Sequence, residues 1–159
     1  MADFQQQVYI DGAFGRVGTI SRNMISTPKI PLVAQGTAVR AGGFGWRGTD
    51  PEKQVIGVNA GATSVDGLVI FSRMQANLRG AGANNLNTLF INEGEECDLI
   101  KSGFAYVLST TASVFGQSVY VNPTTGEIQT ATTTPAGFID SGWKVETGAA
   151  ANQVCEISK

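Results

Sequence analysis

Gly43-Phe44-Gly45-Trp46-Arg47-Gly48 has the spacing of a dinucleotide-binding fingerprint, in which glycines let a helix N-terminus approach a pyrophosphate. That chemistry needs a strand before the motif and a helix opening after it, whereas Thr49-Asp50-Pro51 follows at once. The segment reads instead as a flexible glycine loop that exposes Phe44 and Trp46. Gly80-Ala81-Gly82-Ala83-Asn84-Asn85 is followed by no Lys-Ser/Thr pair and is not a phosphate-binding loop. The 13 Asp and Glu residues include no pair at a distinctive spacing in an aromatic, sugar-binding context. Glu93 to Asp98 also lacks the residue order of a calcium loop. The chain has no histidine, which excludes Ser-His-Asp triads, Cys-His pairs, His-ligated zinc and a histidine base. Cys97 and Cys155 form neither a CxxC pair nor a metal ligand set and read as small buried side chains, with a disulfide between them left open. No catalytic residue is assigned, and no cofactor or metal is expected.

The elements that must position any site follow from composition. The 159 residues allow one ordinary domain, or a small domain with an arm. Gly, Ser, Thr and Asn fill 54 positions and charged residues only 15%, a balance that favours short strands and many turns over long helices. Residues 1–31 read as irregular, because Gly12, Gly15 and Gly18 break any period and Pro28 and Pro31 prevent a helix. An extended arm is expected over 1–30 and a single β domain over 31–159. Strands are expected at Ile30–Val33, Gly36–Arg40, Gln54–Asn59, Leu68–Met74, Asn87–Ile91, Cys97–Lys101, Phe104–Ser109, Ser118–Val121, Glu127–Thr130, Gly142–Glu146 and Gln153–Ile157. Asn122-Pro123-Thr124-Thr125-Gly126 is a hairpin signal, with Pro123 setting φ for a turn and Gly126 supplying a positive φ. Asp50-Pro51-Glu52 resembles the start of one helical turn. The predicted fold is all-β, a jelly-roll-like sandwich or barrel of about ten short strands with an irregular N-terminal arm.

Charge narrows the partners. A net charge of −2 argues against direct nucleic-acid binding, which needs a basic surface to release phosphate counterions. Residues 1–80 nonetheless sum to +3 and residues 81–159 to −5. The acids are densest at Glu93, Glu95, Glu96 and Asp98. They read either as a solvated acidic strand edge or as a docking surface for a basic partner or the positive half of a neighbouring copy. Ser102 to Gly126 carries no charge over 25 residues, but only 11 are apolar and Gly and Pro interrupt them, so no membrane span is expected. The start of the chain lacks the basic and apolar regions of a signal peptide, so a cytosolic site of synthesis and assembly is expected.

The run Asn92-Glu93-Gly94-Glu95-Glu96-Cys97 through Gly116-Gln117-Ser118-Val119-Tyr120-Val121 and Asn122-Pro123-Thr124-Thr125-Gly126-Glu127-Ile128 resembles the cement or decoration proteins of tailed-phage heads. Gly142-Trp143-Lys144-Val145 and Cys155-Glu156-Ile157 complete the pattern, and upstream Pro31 to Val39 and Gln54 to Val58 look like the family's entry strands. The resemblance covers about residues 30–158. It implies a β body, often of jelly-roll type, on the outside of the capsid, clamping adjacent major capsid protein subunits without catalysis. Self-association on the lattice and location in the virion would follow.

Candidate interface residues are Phe4, Val8, Ile10, Phe14, Ile20 and Ile25 in the arm, Phe44 and Trp46 in the glycine loop, and Glu93, Glu95, Glu96 and Asp98. The alternatives are another virion component, such as a tail or fibre β domain, and a carbohydrate-binding β sandwich. The latter would stack sugars on Trp46, Trp143, Phe44 or Tyr106, rings that could equally fill a core.

Overall fold

The computed structural model describes residues 15–22, 29–71 and 90–159. The described chain is all-β. Its ten strands are β1 (Lys29–Ala34), β2 (Phe44–Arg47), β3 (Gln54–Ile56), β4 (Gly67–Phe71), β5 (Glu96–Ile100), β6 (Phe104–Ser109), β7 (Ser118–Val121), β8 (Ile128–Ala131), β9 (Ile139–Thr147) and β10 (Gln153–Ser158). The first five close into a barrel in the order β1-β3-β2-β4-β5, and the last five form a sheet ordered β6-β10-β9-β7-β8. β1 and β3 run parallel, while the other pairings are antiparallel. The all-β sandwich-or-barrel expectation is met.

Two apolar layers hold these sheets together, and the barrel wall belongs to both. Leu32, Ala34, Val55, Val69, Phe71, Cys97 and Leu99 fill the lumen with Val17, Val39, Ala41 and Ile91. On the opposite side of the wall, Phe44, Trp46, Leu68, Ile70 and Ile100 pack against Ala105, Val107, Val119, Val121, Ile128, Trp143, Val145, Cys155 and Ile157 of the sheet. β4 shows why its run Gly-Leu-Val-Ile-Phe is continuously apolar. Alternate side chains point to opposite faces, so Val69 and Phe71 enter the lumen while Leu68 and Ile70 meet the sheet. The rings of Phe44 and Trp143 meet edge to face across the layer, with centroids 6.4 Å apart. The Nε1 of Trp143 has no hydrogen-bond partner among the described residues.

β2 corrects the reading of 43–48 as an exposed glycine loop. Phe44 and Trp46 are 1% and 3% exposed, and the strand pairs with β3 and β4. Gly45 occupies the lumen face. A Cβ on Gly45 would lie 2.7 Å from a Val55 methyl and 2.8 Å from a Val69 methyl. A five-stranded barrel leaves no room there, so the strand alternates glycine with aromatic, and its glycine content hides a two-residue period. Conversely, Gly36–Arg40 is not a strand; Arg40 forms only an isolated bridge to Phe90. Residues 87–89 of the expected 87–91 strand, and 72–74 of the 68–74 strand, lie outside the described residues.

The turns follow their local chemistry. Asp50 forms one turn rather than a helix, its carbonyl accepting from Gln54 N at 2.8 Å and its carboxylate from Glu52 N at 3.2 Å. The expected hairpin joins Val121 to Ile128. Gly126 has φ 72°, and Asn122 Oδ1 accepts from Thr124 N at 2.9 Å. This hairpin also fastens the sheet to the barrel, because Asn59 N donates to Pro123 O at 2.7 Å and Arg40 donates to the Gly126 carbonyl. Burial pushes the Arg40 guanidinium down, partly offset by the nearby Glu127 carboxylate.

Sheet edges are occupied from within the chain. At β8, Ile128 O accepts from Thr110 N at 3.0 Å, and Thr130 O accepts from Thr111 Oγ1 at 3.0 Å. At β6, residues 18–21 take the place of a further strand. Gly18 N donates to Tyr106 O at 2.9 Å, Tyr106 N to Thr19 O at 3.1 Å and Ser21 N to Phe104 O at 3.0 Å. The same segment reaches the barrel, where Phe71 N donates to Gly18 O at 3.2 Å and Val17 is buried in the lumen cluster. Gly18 has φ +77°, and a Cβ there would lie 2.5 Å from that of Ala41.

Glu156 locks this segment in place. Its residue is 7% exposed, and its carboxylate accepts from Arg22 Nε at 3.0 Å, Arg22 Nη2 at 2.9 Å, Ser21 Oγ at 2.5 Å and Thr147 Oγ1 at 3.1 Å. The two-pronged Arg22 contact holds the carboxyl below its ordinary range against the opposing effect of burial, with Ser21 and Thr147 adding to the depression. Arg22 also lies over the Phe104 ring, 4.2 Å from its centroid.

Two outcomes follow for stability. Gly45→Val forces two methyls into a filled lumen and should destabilise by about 1–3 kcal/mol, seen as a lower midpoint in thermal or urea unfolding; an unchanged midpoint would contradict the lumen packing. Because folding lowers the Glu156 pKa, its contribution is present above the ordinary carboxylate value of 4.5 and is lost as pH falls through the folded value. Glu156→Gln should cost about 1–3 kcal/mol at pH 7, and its deficit against the unaltered protein should shrink below pH 4.5, measured as melting temperature against pH.

Candidate functional site

With the strand edges occupied, contact with another molecule falls to side chains and turns. The most exposed large apolar side chains among the described residues are Val114 and Phe115, at 60% and 72%. They sit on the connection between β6 and β7, and that connection is rigidly held. Ser113 and Ala149 exchange backbone hydrogen bonds of 2.8 and 3.1 Å. Gln117 N donates to Val114 O at 3.1 Å, and Gln117 Oε1 accepts from Val114 N at 2.9 Å. Gly116, with φ +84°, supplies the third position of the turn, which requires a positive φ. Its N–H donates to Val145 O, and Val145 N returns a bond to Gln117 O, both at 2.9 Å. The two side chains therefore project from a turn pinned to β9.

Beside this tip lies an open cleft of about 430 Å³, lined by the tip and by Gln117, Ser118, Thr132 and Lys144. Lys144 is the cross-strand partner of Ser118, and its Nζ donates to Ser118 Oγ at 2.6 Å. Among the described residues, no carboxylate lines the cleft. Glu146, two residues along β9, bonds Ser158 at 2.5 Å and lies 3.9 Å from Arg22. Asp140 is occupied by the Gly142 N–H at 2.7 Å. At the far end of the sheet, bonds from Gln129 and Thr110 hold the Glu127 carboxyl below its ordinary range.

The expected site residues are dispersed. Phe4, Val8, Ile10, Phe14 and Ile25 lie outside the described residues. Ile20 bridges Ala105 and packs against the inter-sheet core. Phe44 and Trp46 are core residues and present no surface, since the wall they occupy is covered by the sheet. Trp46 Nε1 is also satisfied internally by Ser64 O at 2.7 Å. With Trp143 fully buried as well, three of the four rings considered for sugar stacking are inaccessible. The acidic run divides by role. Glu95 caps its own turn, accepting from Asn92 N at 2.9 Å and Asn92 Nδ2 at 3.0 Å. Asp98 lies 3.9 Å from Lys29 Nζ, while Glu93 and Glu96 are exposed. Asp98 is not on a strand edge, because β5 pairs there with both β1 and β4 in the closed barrel, while Glu93 and Glu95 lie in the turn before β5.

Cys97 and Cys155 are free, buried thiols in different apolar layers. Burial pushes Cys97 up to about 12, helped by Asp98, and raises Cys155 as well. Neither is poised as a thiolate at neutral pH. No group of three or more metal-ligating side chains is present among the described residues. Sequence reasoning missed Val114 and Phe115, although an apolar pair directly before a glycine, outside any alternating run, was a legible signal.

Among curated proteins, no match to the sequence was found. A solved chain from "The capsid of Myoviridae Phage XM1" shares the fold, with a TM-score of 0.62 and 16% identity over 99% of this chain and 97% of that one. A family model described as structural cement protein (E217 gp24/Pam3 gp6) matches residues 4–159. The chain therefore belongs to the phage cement family of structural cement proteins.

Proposed function

We propose that this protein is a non-catalytic component of a phage virion, which binds the outer surface of the capsid and clamps adjacent major capsid protein subunits, stabilising the head. The observation that carries this reading is the family match across nearly the whole chain. The geometry suits it in two ways. A body with occupied strand edges avoids indiscriminate edge-to-edge pairing, and a turn already fixed by backbone bonds loses little further freedom when it docks. Many copies on a repeating lattice would act together, so a modest single contact becomes firm where several engage at once.

Residues 15–22 and β1, which begins at Lys29, are fastened to the body. An arm that reaches a neighbour would therefore draw on residues 1–14. Self-association on the lattice belongs to the same reading, aided by the opposed charge of the two halves.

Purified protein added to heads that lack it should bind and raise the temperature at which they release DNA; heads that bind none, or gain no resistance, would contradict the role. Removing residues 1–14 should weaken head binding with little change in melting temperature. Removing 1–22 should also lower that temperature, because the Arg22 to Glu156 clamp is lost. Equal melting temperatures for the two truncations would refute this division.

A further inference from the structure

The cleft beside Phe115 has a chemistry of its own. Val114 and Phe115 offer apolar surface on one side, Gln117, Ser118 and Thr132 offer hydrogen-bonding groups, and Lys144 is the single charged group among the described residues that line it. Its volume of about 430 Å³ falls within the roughly 300–1,000 Å³ range of binding pockets. The cleft is open, so it suits a segment laid along it rather than an enclosed small molecule. The carboxylates nearest in the strand order are engaged elsewhere, Glu146 with Ser158 and Asp140 with Gly142. The Lys144 charge is thus left to a partner, and one lysine falls far short of the several cations that phosphate backbones require.

We infer that this cleft receives an extended segment of a neighbouring major capsid protein subunit, one that packs an apolar side chain against Phe115 and sets a carboxylate against Lys144. The inference rests on the cementing role proposed above and names the surface that performs it. Phe115 and Val114 supply the desolvated centre of the contact, where aromatic side chains dominate binding energy. Lys144 supplies register and charge complementarity, with an exposed charge contributing more to salt dependence than to raw affinity. Because the turn is held by Gly116, Gln117 and Val145 backbone bonds, changes at either side chain leave the fold intact.

The test uses heads lacking the protein, with unaltered chain, Phe115→Asp and Lys144→Gln added separately. Phe115→Asp should bind at least tenfold more weakly at every salt concentration, with an unchanged melting temperature. Lys144→Gln should bind several-fold more weakly at low salt, and its deficit should vanish near 1 M salt, where the Debye length is about 3 Å. Zero-length carbodiimide cross-linking of decorated heads should join Lys144 to an Asp or Glu of the major capsid protein. Linkage of Lys144 to Glu93 or Glu96 of a second copy would overturn the assignment in favour of a contact between copies. Variants that bind like the unaltered chain would overturn the site while leaving the cementing role standing, whereas an unaltered chain that fails to decorate heads would remove the role and the site together.

Discussion

The barrel wall buried on both faces is the constraint from which the rest of the structure follows. A closed five-stranded sheet has a narrow lumen that admits only small or β-branched side chains at some positions. The wall that faces the second sheet must be apolar on its outside too. β2 and β4 carry both demands, with Gly45 and Val69 facing inward and Phe44, Trp46, Leu68 and Ile70 facing outward. Each large aromatic on the outside is matched by a small residue or a filled lumen within. The two sheets are consequently one unit, although each is drawn from its own half of the chain.

Closure has a second consequence, for interaction. The barrel has no edge, and the second sheet loses its free edges to residues 18–21 at β6 and to Thr110 and Thr111 at β8. The Glu156 carboxylate fixes the first of these covers through Ser21 and Arg22. A protein attached in many copies to a lattice gains from this arrangement, because unpaired strands would invite association between free copies before they reached the head. Among the described residues, the outward features include the Val114 and Phe115 turn, the cleft with Lys144, and the Glu93 and Glu96 carboxylates.

Much of the architecture was legible in the sequence, and the failures share a physical cause. Phe104–Ser109 and Ser118–Val121 match their strands residue for residue, because short β-prone runs bounded by turn residues are a local signal. The Asn122 to Gly126 hairpin was legible because proline and glycine dictate turn geometry directly. β2 was missed because its period of two is written in glycine, a residue otherwise read as a breaker. The alternation of Phe44 and Trp46 has meaning only once the lumen is known to be closed. Asp98 was misplaced on a strand edge for the same reason, since pairing on both sides of β5 is a tertiary fact. Of the candidate interface residues, Phe44 and Trp46 joined the core, while the exposed tip at Val114 and Phe115 was passed over despite its apolar pair before Gly116. The Arg22 to Glu156 clamp spans 134 positions, and no local pattern announces it.

The composition that excludes catalysis by histidine is also rich in Gly, Ser, Thr and Asn, as befits a turn-rich β body proposed to cement capsid subunits. A reconstruction of the intact phage head bearing this chain tests that account most directly. It should show the body on the outer face of the shell, bridging adjacent capsid subunits, with the Phe115 turn seated on one of them. Density for the chain in the tail or inside the shell, or a Phe115 turn pointing into solvent on a decorated head, would contradict it.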